Sequence, residues 1–147
     1  MGHRDKTRKL GMKTPHREAM FANMAMSLVQ HRMIKTTDAK AKALRPLVDR
    51  LIVTAKKDTL ASRRQVARTI HVKDVFKKFY EEVVPQFKDR NSGFTRIMRL
   101  GVRRGDGAPM SVVELLTAKP AAEKPPKVKK AAKVGNEAEP AKAGQKP

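Results

Sequence analysis

The chain has 147 residues, no cysteine and no tryptophan, and 34 Lys and Arg against 14 Asp and Glu, a net charge of +20. That excludes disulfides, thiolate nucleophiles and cysteine-held zinc, and allows one small core with appendages rather than two. No apolar run reaches the roughly 18 residues of a membrane span, and the N-terminal charges are followed by no hydrophobic segment of the secretory kind.

The positive charge is present in every part of the chain. Residues 1–17 carry +5, residues 18–118 carry +10 and residues 119–147 carry +5. Self-repulsion on this scale opposes compaction and attracts polyanions. Nucleic acid is the leading partner, and an anionic membrane surface is its main competitor.

Gly2 to Lys13 has no helical or alternating period. It reads either as a frayed, solvated terminus or as an extended arm that orders on phosphates. In the second reading His3, Arg4, Lys6, Arg8, Lys9 and Lys13 are the contacts, because a basic arm tracks a backbone without demanding exact geometry. The overall charge favours the arm. Its Leu10 and Met12 are too few to form a core.

Thr14 is the expected N-cap of a first helix, with Pro15 at the first helical position where a missing N–H costs nothing. Met20, Met24 and Leu28, with Phe21 and Ala25 beside them, make one apolar face. His31 and Arg32 suit the helix C-terminus. Met33 and Ile34 suggest a short strand, and Thr36 or Thr37 before Asp38 marks the next helix start.

Asp38 to Lys57 reads as a second helix with Ala41, Leu44, Val48, Leu51, Ile52 and Ala55 as its buried stripe. Pro46 predicts a kink, or two short helices meeting near Arg45. Asp58 or Thr59 caps a third helix from Leu60 to about Thr69, with Leu60, Ala67 and Ile70 on one side and Arg63, Arg64 and Arg68 on another. Val72, Phe76, Phe79 and Val83 then predict a helix over 73–84, stopped by Pro85, with Phe87 as a core plug behind it.

After Gly93 the period changes. Phe94 to Val102 and Met110 to Leu116 read as a hairpin around the turn-rich segment RRGDGAP. Two strands alone are marginal, so a third from Met33–Thr36 is expected beside them. The fold class is α+β, a small helical layer on a short mixed sheet in the order α-β-α-α-α-β-β. From Ala118 the chain is rich in Lys, Pro and Ala without period, which predicts a disordered tail. The division is a basic arm over 1–13, a domain over 14–117 and a tail over 118–147.

Catalytic chemistry is not written in this sequence. His3, His16, His31 and His71 have no carboxylate partners at ligand spacing, and there is no nucleophile elbow, phosphate-binding glycine loop or D-x-D pair. The lone Asp106 between two glycines reads as a turn former. No metal or other cofactor is expected, nor a small-molecule substrate. With few aromatics, base stacking is not the main mode; phosphate and shape recognition by an arm and patches is. A histone-like or nucleoid DNA-binding protein is the alternative reading.

Several blocks occur in an order that resembles the bacterial large-subunit ribosomal protein seventeen family. They are His3-Arg4, Arg8-Lys9-Leu10, His16-Arg17, Ala19-Met20, Asn23-Met24, Ser27-Leu28, His31, Ile34, Thr36-Thr37, Lys40-Ala41-Lys42 and Leu44-Arg45, then Leu51-Ile52, Ala55-Lys56 and Arg63-Arg64. The C-terminal half adds Pro85, Phe87, Arg90, Gly93, Thr95-Arg96-Ile97, Gly101, Arg103, Gly105-Asp106, Ala108-Pro109-Met110 and Glu114-Leu115. The resemblance spans roughly residues 2–116 and leaves the tail outside. It implies a structural, non-catalytic component of the cytoplasmic large ribosomal subunit. Such a component binds the large ribosomal RNA near the polypeptide exit side among neighbouring ribosomal proteins.

Carried over by position, the resemblance makes His3, Arg4, Arg8 and Lys9 RNA-facing arm residues. It points to His16, Arg17, Thr36, Thr37, Lys40, Lys42, Arg45, Arg63, Arg64, Arg96, Arg103 and Arg104 as contacts on the body. Met12 and Ala22 stand where the family commonly has polar or basic residues. Either two phosphate contacts are missing there, or these side chains pack on RNA or a neighbour.

Overall fold

The computed structural model describes residues 9–117. The expected arm contacts His3, Arg4, Lys6 and Arg8, and the expected disordered tail, lie outside the described residues.

The first helix, α1, spans Thr14–His31. Its N-cap is Lys13 and not Thr14, and the Lys13 side chain makes no capping bond. The proline at the start of the helix has no N–H to satisfy, so it tolerates a weak cap. Before it, Met12 N–H donates to the Lys9 carbonyl across a turn, and Leu10 packs on the core. The base of the expected extended arm is therefore a turn held on the body, because even one apolar side chain gains from burial against a core already present.

The α1 stripe centres on Phe21, Ala25, Leu28 and Val29, with Met26 also buried. Met20 and Met24 lie at its margin. Arg32 ends the helix in a left-handed conformation, φ 63°, and its N–H donates to the Leu28 carbonyl at 2.9 Å. A non-glycine residue there costs about 1–2 kcal/mol. Arg32 offsets that cost through both ends: its guanidinium reaches Glu82 at 2.6 Å, and its carbonyl accepts from Leu115 N–H at 2.9 Å.

Strand β1 is Met33–Thr37 and helix α2 is Asp38–Lys56. All six residues of the expected α2 stripe are buried. One helix runs through Pro46, and the two-helix alternative is not what forms. Pro46 is exposed, so its missing hydrogen bond falls on the solvent side while the opposite face packs.

A true capping box starts α3, Leu60–Ala67: Ser62 N–H donates to Thr59 Oγ1 at 3.2 Å, and Thr59 N–H to Ser62 Oγ at 3.0 Å. The buried side is Ser62 and Val66 followed by Ile70, not Leu60 and Ala67, which are exposed. The cap fixes the rotation of this short helix and turns Leu60 outward.

The expected helix over 73–84 is three segments. Helix α4 spans Lys73–Lys78, a π-helical turn covers Phe79–Val83, and a 3₁₀ turn carries Val84–Phe87 through Pro85. The residues it buries include Val75, Phe79, Val83 and Phe87, each four apart. A strict four-residue repeat drifts about 40° per step around an α-helix. The wider turn takes up that drift and keeps one line of side chains on the core. Val72, expected in the stripe, is 41% exposed, while Val75 is 2% exposed.

Strands β2, Thr95–Val102, and β3, Pro109–Leu115, form the expected hairpin. The strand order is β1-β3-β2, and both pairings are antiparallel, which corrects the expected mixed sheet. The chain leaves β1 through α2, α3 and α4 and returns by the hairpin, whose second strand β3 lies between β1 and β2 and runs against both. Ile34, Val113 and Ile97 stand in register on the face packed against the helices. Phe87 plugs the core against Phe94, edge to face with ring centres 5.2 Å apart.

Candidate nucleic-acid interface

Within the described residues, four of the predicted contacts stand in ion pairs. Lys42 Nζ lies 2.6 Å from Asp38, Arg63 2.8 Å from Asp58, and Arg45 3.9 Å from Asp49. Arg103 pairs with Asp106 inside the hairpin turn. Such surface pairs contribute roughly 0–1 kcal/mol, so they orient a cation more than they neutralise it. Lys9, Lys13, Arg17, Lys40, Arg64, Arg96 and Arg104 have no carboxylate within 4.0 Å among the described residues.

Five of the predicted residues lie on three surfaces, while Lys40, Arg45 and Arg64 line none of them. The first is a shallow groove between α1 and β1, where His16 and Thr36 meet Asn23, Ser27 and Lys35 over Met20, Met24 and Ile34. Thr37 begins α2 beside it, with no capping bond from its side chain. Asp38 follows in the first turn of α2. Its carboxyl is held below the usual range chiefly by the Lys42 ammonium, and also accepts from the Ser111 hydroxyl at 3.1 Å. Burial acts on it the other way.

The second surface is a groove between α1, α2 and α3. Arg17 and Lys42 stand on its rim with Arg50, Arg68 and the carboxylate Glu18, above Ala43, Pro46, Leu47 and Leu51. Sequence reading placed Arg68 on one side of α3 with Arg63 and Arg64, and named neither Arg50 nor Arg68 as a contact. The signal was available for one of them: Lys42, Pro46 and Arg50 recur every four residues and so share the face of α2 opposite its buried stripe.

The third surface lies where α3 meets the π-helical turn. The Arg63 guanidinium sits 5.3 Å from the centre of the Tyr80 ring, with Lys56 and Lys88 lining the same hollow. Burial pushes the Tyr80 phenol above its ordinary range. Arg63 is thus held by a carboxylate and a ring, and is less free than the sequence suggested.

The hairpin carries the remaining sites away from these grooves. Arg96 stands opposite Glu114 of β3, on the sheet face turned from the helices, with Lys35, Val112 and Met98 in the next row. A register shift between Arg99 and Gly101 twists the strand end that leads to Arg103 and Arg104. Arg103 is committed to the turn: its Nε–H donates to Asp106 at 3.0 Å, and Ala108 N–H donates to the same carboxylate at 3.2 Å. These bonds hold the Asp106 carboxyl down at about 2. Asp106 is the turn former the sequence predicted. Met12 and Ala22 are half-buried.

Among the described residues no three His, Asp or Glu side chains gather as a metal site, and no helix is long and apolar enough to cross a membrane.

The family model described as Ribosomal protein L17 matches residues 20–116. The chain is 47% identical over 114 residues to the large ribosomal subunit protein bL17 of Methylacidiphilum infernorum (isolate V4), covering 78% of this chain and 87% of that protein. It is 49% identical over 116 residues to the bL17 protein of Rubrobacter xylanophilus, covering 79% of this chain and 96% of that one. With the bL17 protein of Pelobacter propionicus it shares 47% identity over 116 residues, 79% of this chain and 91% of the relative. The chain belongs to the ribosomal protein L17 family.

Proposed function

We propose that this chain is a structural, non-enzymatic constituent of the large ribosomal subunit that binds and stabilises folded large-subunit ribosomal RNA. The observation that carries the reading is the match, over nearly four-fifths of the chain, to relatives named as proteins of that subunit. The physical support is a surface with more cations than its carboxylates can pair, spread over two helix-lined grooves and a hairpin. Recognition is by phosphate and shape, because five of the six aromatic residues are packed ring against ring and leave no stacking platform.

In this reading residues 1–13 are the basic arm and 14–117 the body, while 118–147 are a Lys, Pro and Ala tail. His3, Arg4, Lys6, Arg8, Lys9 and Lys13 meet phosphates from the arm. His16, Arg17 and Thr36 contribute from the first two grooves, Lys40 and Arg64 from the helix surface outside them, and Arg96 and Arg104 from the hairpin. Lys42, Arg45, Arg63 and Arg103 contribute less, since each already has a carboxylate partner. Neighbouring ribosomal proteins complete its surroundings in the cytoplasm.

The test is the protein content of purified large subunits. The chain should remain at one copy per particle after a moderate salt wash and be absent from chromosomal DNA. Substoichiometric recovery with retention on DNA would instead support a nucleoid protein.

A further inference from the structure

The groove between α1, α2 and α3 has features that phosphate attraction alone does not require. Counterion release works on a flat surface, yet this site is a hollow of about 830 Å³. That volume suits a small-ligand group, although the hollow is open to solvent and does not close around its contents. Its rim is cationic through Arg17, Arg50 and Arg68, and its floor is aliphatic through Leu47 and Pro46.

Pro46 adds a second, independent feature. It has no N–H to give the Lys42 carbonyl four residues earlier, so that acceptor lacks its helical donor. Lys42 and Pro46 both line the hollow. The lining therefore includes the residue whose carbonyl lacks its helical donor, beside an apolar floor and two arginines with no carboxylate within 4.0 Å among the described residues.

Paired RNA does not use this combination. An A-form helix keeps its base faces stacked and presents phosphates and 2′-hydroxyls. An unpaired nucleotide offers a flat face, N–H and 2′-OH donors and its flanking phosphates together, and base faces settle on guanidinium planes as well as on rings. We propose that this groove takes one unpaired nucleotide of the RNA. Its phosphates lie on Arg50 and Arg68, its base lies against Leu47 and Pro46, and a base N–H or the 2′-hydroxyl donates to the Lys42 carbonyl. The assignment rests on the RNA-binding reading and adds what this one surface binds.

The experiment uses the full chain with three probes: large-subunit ribosomal RNA, an oligouridylate, and a fully paired RNA hairpin with the same number of phosphates. Leu47 methyl resonances should shift with the oligouridylate and stay in place with the hairpin. R50A/R68A should keep its melting temperature and lower the oligouridylate salt slope by about 1.4, two contacts at ~0.7 each. P46A should raise the melting temperature, by restoring the helical donor, while weakening oligouridylate binding and leaving hairpin binding unchanged. If the Leu47 methyls stay in place with the oligouridylate while the chain still binds ribosomal RNA, the groove assignment is overturned and the RNA reading stands. Failure to bind ribosomal RNA at all would overturn both.

Discussion

Two valines three residues apart distinguish the sequence-derived helix face from the folded one. A regular α-helix through Phe76, Phe79 and Val83 places Val72 in the core. The structure buries Val75 at 2% exposure and leaves Val72 at 41%. Val75→Ala removes two methyl groups from a packed site, about 1.6 kcal/mol at ~0.8 per carbon, and a cavity term raises the loss to about 2 kcal/mol. Val72→Ala removes the same atoms from a half-solvated site and should cost no more than about 0.5 kcal/mol. Alanine is also the better helix former, which offsets part of the Val75 loss by a few tenths of a kcal/mol but does not apply at Val72, the extended residue that precedes α4. Urea denaturation of both variants measures the difference directly, provided the slope of each transition is unchanged. Equal losses, or a larger loss at Val72, would mean that the π-helical turn over Phe79–Val83 does not form and that a regular helix presents its other side.

Phe79→Ala should cost about 3–5 kcal/mol, since Phe79 is 2% exposed and meets Tyr80 edge to face at 5.7 Å, while exposed Lys77→Ala should stay within about 0.5 kcal/mol; urea midpoints check both. The Asp106 carboxyl should titrate at about 2 by NMR in the native protein, and Arg103→Ala should return it toward 3.8. Its folded value lies below its unfolded one, so whatever it contributes to stability is present at neutral pH and lost as pH falls toward 2. Deleting residues 1–8 removes Arg4, Lys6 and Arg8 but spares Leu10, whose packing holds the base of the arm. If all three side chains touch phosphate, the salt slope for ribosomal RNA should drop by about 2–3 at unchanged melting temperature; an unchanged slope would place the arm away from RNA.

Most of the fold was legible because it rests on long periodic stretches. The α2 stripe could be read without error since six apolar positions at helical spacing over 19 residues admit one buried side, and an exposed Pro46 does not compete with it. Short elements were less legible. In α3, eight residues long, a capping box decided the rotation, and Ser62 was buried where apolar Leu60 had been expected. From Lys73 onward the pattern itself was ambiguous, because a four-residue repeat fits an α-helix over two turns and departs from it over three. A change of helix type resolves the ambiguity, and propensity carries no signal for that. The sheet was read as mixed because a hairpin fixes the sense of its own two strands alone; the direction of β1 depends on the path through the helical layer.

The candidate interface was legible in charge and much less so in geometry. Sequence identifies every cation, but a carboxylate four residues away decides whether that cation is free, and the two need not be weighed together when contacts are sought. Lys42 follows Asp38 by four residues and Arg45 precedes Asp49 by four, so both predicted contacts come with a partner that helical spacing places beside them. Arg50 has no such partner, faces the same groove as Lys42, and was passed over because nothing around it in sequence resembles a binding motif. The same spacing rule that finds a helix core also finds this rim, if it is applied to Lys42, Pro46 and Arg50 rather than to the apolar residues between them. A helix that buries one face on the core and lines a groove with the other is read completely only when both stripes are traced. In the proposed groove the second stripe supplies Arg50 and Pro46, while Arg17 and Arg68 come from α1 and the end of α3.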